Sequence, residues 1–260
     1  MLTRFFPDPL ARGFAQAAFV AVLALAVTLL ARRRRIRVTR DVAVALVRGL
    51  LQIVAVGSVL LVMLRGPRWL AALALLGMVG AAAVTAGRRA RAVPGALPIA
   101  AQALLAGAGS VIVLMLLAGV IEPTVTSVVP VGSMLIATSM NAVGLVLERF
   151  RSDVVAHARH VEAALALGAS PEAAAEPYVR ASFQASLIPA IDNLKSLGIV
   201  WIPGLMTGMV LTGTPPLQAA VYQFVVIATI FSSSALTCLV ATALVRGRAF
   251  SPAEQLVLRG

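Results

Sequence analysis

Seven runs of apolar residues separated by short polar stretches dominate the chain, over about residues 14–30, 42–64, 69–86, 97–120, 125–147, 196–211 and 219–245. Roughly 20 residues of helix cross the hydrocarbon core of a bilayer. Within it a helix satisfies its own backbone hydrogen bonds. The pattern therefore predicts an all-α, polytopic integral membrane protein with about seven transmembrane helices in one domain over residues 1–260. The sixth run is the shortest and is interrupted by Pro203-Gly204, where an amide donor is lost.

Between the fifth and sixth runs lies one long polar segment, residues 148–187, read as a large cytoplasmic loop. Six of the ten acidic residues fall between Glu148 and Asp192. Val154, Val155, Ala158, Val161 and Leu165 recur at helical spacing, with Arg151, Arg159 and Glu162 around the other face, which predicts an amphipathic helix. Gly168 can end it in a left-handed conformation, and Ser170 with Pro171 can cap and begin the next. Two short helices about a tight corner are expected.

Composition agrees with the pattern. The chain is 60% hydrophobic and 12% charged, with a mean hydropathy of +0.96, outside the range of soluble domains. A net charge of +12 would suggest nucleic acid in a soluble protein, but the arginines gather at the ends of apolar runs, where lipid headgroups lie. Nucleic acid is not an expected partner; the lipid bilayer is. Of the Lys and Arg residues, 17 fall in segments assigned inside and 4 in segments assigned outside. That bias places the N-terminus outside and the C-terminus inside the cytoplasmic (inner) membrane. Arg32 to Arg37 follow the first run instead of preceding it, the reverse of a cleavable signal peptide. The single cysteine, Cys238, excludes an intrachain disulfide and a cysteine metal cluster.

Reaction chemistry is sparse. The two histidines, His157 and His160, both lie in the polar segment, so no catalytic constellation sits on a span and no enzyme is expected. Asp41, Glu122, Glu148 and Asp192 sit at span ends, which disfavours an ion-coupled carrier. No phosphate-binding loop is present, so this chain is expected to carry no cofactor, and any ATP with its magnesium would bind a separate chain. An ATP-independent channel or secondary carrier is the alternative.

Several span residues are candidates for a translocation path. Arg48 and Gln52 lie one turn apart in the second run, either snorkelling to headgroups or facing the bundle interior. Ser133, Thr138, Ser139 and Asn141 make the fifth run rich in small polar groups, which pack helices closely or line a path. Met134, Met140 and Met206 are weak metal candidates, since thioethers suit soft ions, and adaptable packing is their commoner role. Thr207 and Gly208, following Pro203-Gly204, can expose backbone carbonyls. The hydroxyls of Ser232, Ser233 and Ser234 can line the path or bond the carbonyl four residues back.

The stretch Glu162-Ala163-Ala164 followed by Gly168-Ala169-Ser170-Pro171 resembles the coupling loop with which ABC transporter permeases dock on an ATP-binding subunit. In those permeases a Leu-Pro commonly follows the glycine by about a dozen residues; here Val179-Arg180-Ala181 occupies that place and Leu187-Ile188-Pro189 comes later. Together with Arg48-Gly49-Leu50-Leu51-Gln52, Met140-Asn141-Ala142-Val143-Gly144, Pro203-Gly204-Leu205-Met206-Thr207-Gly208 and Tyr222-Gln223, it resembles the FetB/YbbM family of ABC permeases from about Arg32 to Val245. The resemblance implies a homodimeric permease driven by a separate ATPase docked on residues 148–187, exporting iron or another metal. Plant relatives are linked to aluminium tolerance. It also adds Gln223 to the path. Ala137-Thr138 stand where the family often has Gly-Asn.

Overall fold

The computed structural model describes residues 9–33, 39–63, 66–67, 69–251 and 253–258, which form nine helices and no sheet. They are α1 (Pro9–Arg33), α2 (Thr39–Met63), α3 (Trp69–Arg89), α4 (Ala96–Leu117), α5 (Val125–Ala156), α6 (Ala158–Ala166), α7 (Pro171–Ser196), α8 (Gly204–Leu211) and α9 (Pro216–Arg246). Arg34, Arg35 and Arg37 of the basic run, Leu64, and Arg4, Arg65, Arg68 and Arg259 of the charge tally lie outside the described residues. The chain divides into two compact units, Met1–Gly66 and Pro67–Gly260.

In the first unit α1 and α2 pair as a hairpin. Their apolar side chains point outward along both helices; Phe19, Leu23, Val47, Leu51 and Ile53 are all exposed. Helices apolar all round suit hydrocarbon, not water.

The second unit packs α3, α4, α5, α7 and α9 around one core whose fully buried members include Leu104, Leu135, Val143, Leu147, Phe150, Val226 and Val245. Alanines and glycines thin the contact faces so that the helices approach closely. In α4 a π-turn at Leu105–Gly109 presses Gly107 against α9: a Cβ there would lie 2.6 Å from the Thr237 amide nitrogen. Halfway along, the hydroxyls of Ser139 on α5 and Ser233 on α9 share a buried 2.9 Å hydrogen bond. These pairings run α3, α5 and α9 in one direction and α4 in the other. Arg88, Arg89, Arg91, Arg149, Arg151, Arg159, Arg180, Arg246 and Arg248 gather at one end of the unit, whereas the turns at residues 118–124 and 212–215 of the opposite end carry no Lys or Arg.

Among the described residues six helices are long and apolar enough to cross a membrane: α1, α2, α3, α4, α5 and α9. The multi-pass, all-helical architecture thus follows the hydrophobic pattern. The sixth apolar run does not form one spanning helix. Only eight of its residues are helical, as α8, about 12 Å at 1.5 Å per residue. Pro203 is the extended residue that opens α8, φ −64° and ψ 146°, and not a break inside a longer helix.

The polar segment also differs from two short helices. α5 continues through Glu148 to Ala156, α6 follows, and after the Gly168 corner comes α7, 26 residues and about 39 Å long. α7 runs antiparallel to α9. Glu176 approaches Arg246 at 3.7 Å, Ser186 reaches the Cys238 sulfur at 3.4 Å, and Asn193 shares a cavity with Ile230 and Ser234. The second half of α7 therefore lies at the depth of the spans. Gln184, Asp192, Asn193 and Lys195 on its exposed side gave the segment a soluble look, while Ala174, Ala175, Ser182, Ser186 and Leu187 are buried on the other. Lys195, which the sequence grouped with the basic end, ends α7 beside the middle of α9.

α7 and α8 form a broken pair, joined by residues 197–203. Gln223 of α9, 1% exposed, fastens α8 by accepting a 3.1 Å hydrogen bond from the Met206 amide.

Candidate functional site

The corner between α6 and α7 is built from the residues that marked it in the sequence. Gly168 sits at φ +88°, the left-handed region where a side chain is strained. The Ser170 hydroxyl accepts a 3.2 Å hydrogen bond from the Ala173 amide, and Pro171 occupies the first helical position. Glu162, Ala163, Gly168 and Ser170 are exposed; Ala164, Ala169 and Pro171 are half-buried. At the tip, Leu167 is 90% exposed, an apolar knob with no cover among the described residues.

Two groups that the sequence did not single out tie this corner down. The helix breaks at His157, whose ring stacks on Tyr178 of α7 with centroids 5.3 Å apart, and Val161 of α6 is buried. The Glu176 carboxylate meets Arg180 at 2.7 Å and Arg246 at 3.7 Å, joining the start of α7 to the end of α9. Both pairs are partly solvated and contribute little to stability; their geometry aligns the two helices.

From the corner α7 runs as one rod to a cavity of about 170 Å³ between α5, α7 and α9. Thr138 and Asn141 of α5 line it. Ser186, Pro189 and Asn193 of α7 and Ser234 of α9 complete it. Pro177 and Pro189 lie inside α7, and each removes an amide donor from the helix, so the rod has a built-in bend point at the cavity wall.

The three consecutive serines of α9 meet three different surroundings. Ser232 donates to the Ala228 carbonyl, Ser233 pairs with Ser139, and Ser234 faces the cavity, 1% exposed and without a hydrogen-bond partner. Helical rotation of about 100° per residue separates them, which no run of identical residues reveals by itself.

The remaining candidates lie elsewhere. Met134 and Met140 are half-buried and pack against the core, and neither lines the cavity. Met206, Thr207 and Gly208 belong to α8 with Gly204; the Thr207 hydroxyl bonds the Pro203 carbonyl and the Gly208 carbonyl accepts from Thr212, so these carbonyls are engaged within α8. Arg48 and Gln52 share one exposed face of α2, in the first unit. No group of three His, Cys, Asp or Glu side chains comes together among the described residues.

Residues 14–250 match the family described as "Uncharacterised protein family (UPF0014)", and the chain belongs to that family. It is 36% identical over 241 residues to "UPF0014 membrane protein STAR2" of Oryza sativa subsp. japonica, covering 92% of this chain and 84% of the relative. Against "Protein ALUMINUM SENSITIVE 3" of Arabidopsis thaliana the identity is 31%, over 94% of this chain and 90% of the relative. With "Probable iron export permease protein FetB" of Escherichia coli (strain K12) it is 28%, over 93% of each chain. No solved structure matches. The FetB resemblance of the sequence motifs therefore extends to the whole chain.

Proposed function

We propose that this UPF0014 protein is the membrane-spanning permease subunit of an ABC transporter that exports iron or another metal ion. A separate ATP-binding subunit, carrying the ATP and magnesium, docks on the corner at Glu162–Pro171. The observation that carries this reading is the continuity of α7, which joins an exposed, capped corner to the wall of a polar cavity at membrane depth. A nine-residue corner helix alone would be a surface feature. Fused to a rod about 39 Å long, it can pass a partner's movement to the cavity.

The exposed Leu167 gives the docking partner an apolar anchor, and the Ser170 cap with Gly168 keeps the knob rigid. When ATP draws two partner subunits together, each corner is displaced, α7 bends at Pro189, and the cavity opens alternately to the two sides. The substrate assignment leans on the name of the Escherichia coli relative, and the name of the Arabidopsis thaliana relative fits metal handling as well.

The protein acts as a homodimer. Asp192, Asn193 and Lys195 are exposed on α7 at membrane depth, where hydrocarbon would cost several kcal/mol per charge by some scales. A second copy covering this face leaves them in a shared aqueous path. The excess of Lys and Arg in the segments assigned inside supports an orientation with the N-terminus outside and the C-terminus inside the cytoplasmic membrane, the arginine-rich end of the second unit facing the cytoplasm.

The test is purification in mild detergent of the natural chain and of Gly168→Arg, each expressed in the cells the sequence comes from, followed by an ATPase assay on what copurifies. A Cβ at Gly168 meets no atom within 4 Å, while φ +88° strains any side chain there, so the variant alters the docking knob at the cost of local strain and its Tm is compared with that of the natural chain. ATPase activity copurifying with the natural chain and lost with Gly168→Arg is the expected outcome. Equal recovery with both places the docking site elsewhere, and no recovery with either removes the ABC reading.

A further inference from the structure

We infer that the cavity between α5, α7 and α9 holds a hard divalent metal cation with its water shell intact, gripped through hydrogen bonds and not by direct coordination. The inference rests on the metal-export reading and deepens it, because it specifies the site and the form in which the metal travels.

The donor set decides the form. The polar wall consists of the hydroxyls of Thr138, Ser186 and Ser234 and the carboxamides of Asn141 and Asn193. It contains no carboxylate, imidazole, thiolate or thioether. A bare transition ion would lose its hydration without an anionic or soft ligand to replace it. A hydrated ion keeps its inner shell and needs only acceptors for the waters' hydrogens, much as magnesium retains several waters in protein sites.

The wall is an acceptor surface. Thr138 spends its proton on the Met134 carbonyl at 2.8 Å, and Ser186 spends its own on the Phe183 carbonyl at 2.8 Å. Both hydroxyls thus turn lone pairs toward the cavity, which suits the polarised waters of a cation and repels an anion. Ser234 is the second sign of a ligand: its hydroxyl is almost fully buried, lines the cavity and lacks any partner among the described residues. A buried polar group without a partner is costly, and a ligand's water satisfies it. The amides of Asn141 and Asn193 stand exposed at the same place and bond to nothing among the described residues.

Size agrees. A cavity of about 170 Å³, at roughly 30 Å³ per water, accommodates between five and six waters, the bulk of an ion with its first shell. Neutral walls bind such an ion weakly, and weak binding permits release.

The complex of this chain with its ATPase in proteoliposomes provides the test, with ATP-driven Mn²⁺ flux as the readout. Hexaamminecobalt(III), whose ammine ligands do not exchange, presents only hydrogen-bond donors and cannot be coordinated directly. Competitive inhibition of Mn²⁺ flux by this ion is expected. Asn193→Ala and Ser234→Ala should each raise the KM for Mn²⁺ about three- to tenfold, the size of one lost hydrogen bond. They should weaken hexaamminecobalt(III) inhibition in parallel. Asn193→Asp should lower KM and slow turnover, because a carboxylate can displace a shell water. Asn193 is exposed, so its variants report even if Ser234→Ala impairs folding. Robust Mn²⁺ flux that hexaamminecobalt(III) does not inhibit, or a KM unmoved by every variant, overturns the site. ATP-driven hydrolysis without flux of Mn²⁺ or Fe²⁺ in the natural complex overturns the metal-export reading itself, and the site with it.

Discussion

Gly107→Ala should destabilise the helical bundle, and Gly109→Ala, two residues away in the same π-turn, should not. A Cβ at Gly107 would stand 2.6 Å from the Thr237 amide nitrogen and 2.7 Å from its Cα, and it would also overlap the Thr237 hydroxyl. These are backbone atoms of a buried helix, so no side chain can swing aside. Restoring an ordinary contact of 3.4 Å moves α4 from α9 by about 0.8 Å, through a seam that also packs the fully buried Ala103, Leu104, Ala108 and Ala241. Overpacking of this kind costs about 1–3 kcal/mol, or roughly 3–10 °C in Tm for a chain of this length. A Cβ at Gly109 meets only the Leu104 carbonyl at 3.9 Å, and alanine there gains about 0.5–1 kcal/mol of helix propensity. Thermal unfolding in detergent can be followed with a thiol-reactive dye, since the one cysteine, Cys238, is buried in α9 beside the seam. Equal unfolding temperatures for the two variants would refute the close approach of α4 and α9.

Three further substitutions probe the corner, the bend and the core. Gly168→Ala places a Cβ at φ +88° in open space, a local strain of about 1–2 kcal/mol, or roughly 2–8 °C in Tm; ATPase stimulation measured well below Tm should still fall, and Gly168→Asn should retain more activity than Gly168→Ala. Pro189→Ala restores an amide donor within α7 and stiffens it at the cavity; transport should drop several-fold at unchanged expression, and undiminished transport would argue against bending there. Ser139→Ala leaves Ser233 buried and unpaired, at about 1–3 kcal/mol. The double change with Ser233→Ala should cost less than the sum of the two single changes, as a thermal-unfolding cycle can establish.

The hydrophobic pattern located α1 to α5 and α9 because each buries or exposes apolar residues all round, a signal that needs no tertiary context. It misplaced the broken α7–α8 pair for a physical reason. α7 shows one polar side, with Asp192, Asn193 and Lys195, and so reads like a water-facing helix, although its Ser186–Leu187 side is packed into the core. The apolar run at 196–211 looked like a span, yet the left-handed Gly198 and the proline at 203 confine its helix to α8. The corner was legible almost residue by residue, since a left-handed glycine, a serine cap and a first-turn proline are local chemistry. The cavity was half legible: Thr138 and Asn141 stood out on a polar-rich run, whereas Ser186, Asn193 and Ser234 become neighbours only when α7 folds back between α5 and α9.

The most direct measurement is ATP-dependent metal uptake into inside-out membrane vesicles, prepared with this chain alone, with the ATPase alone and with both. The account predicts uptake only when both chains and ATP are present, and its loss with Gly168→Arg. Uptake by this chain without the ATPase, at a rate indifferent to ATP, would contradict the ABC permease assignment and identify an autonomous channel or carrier.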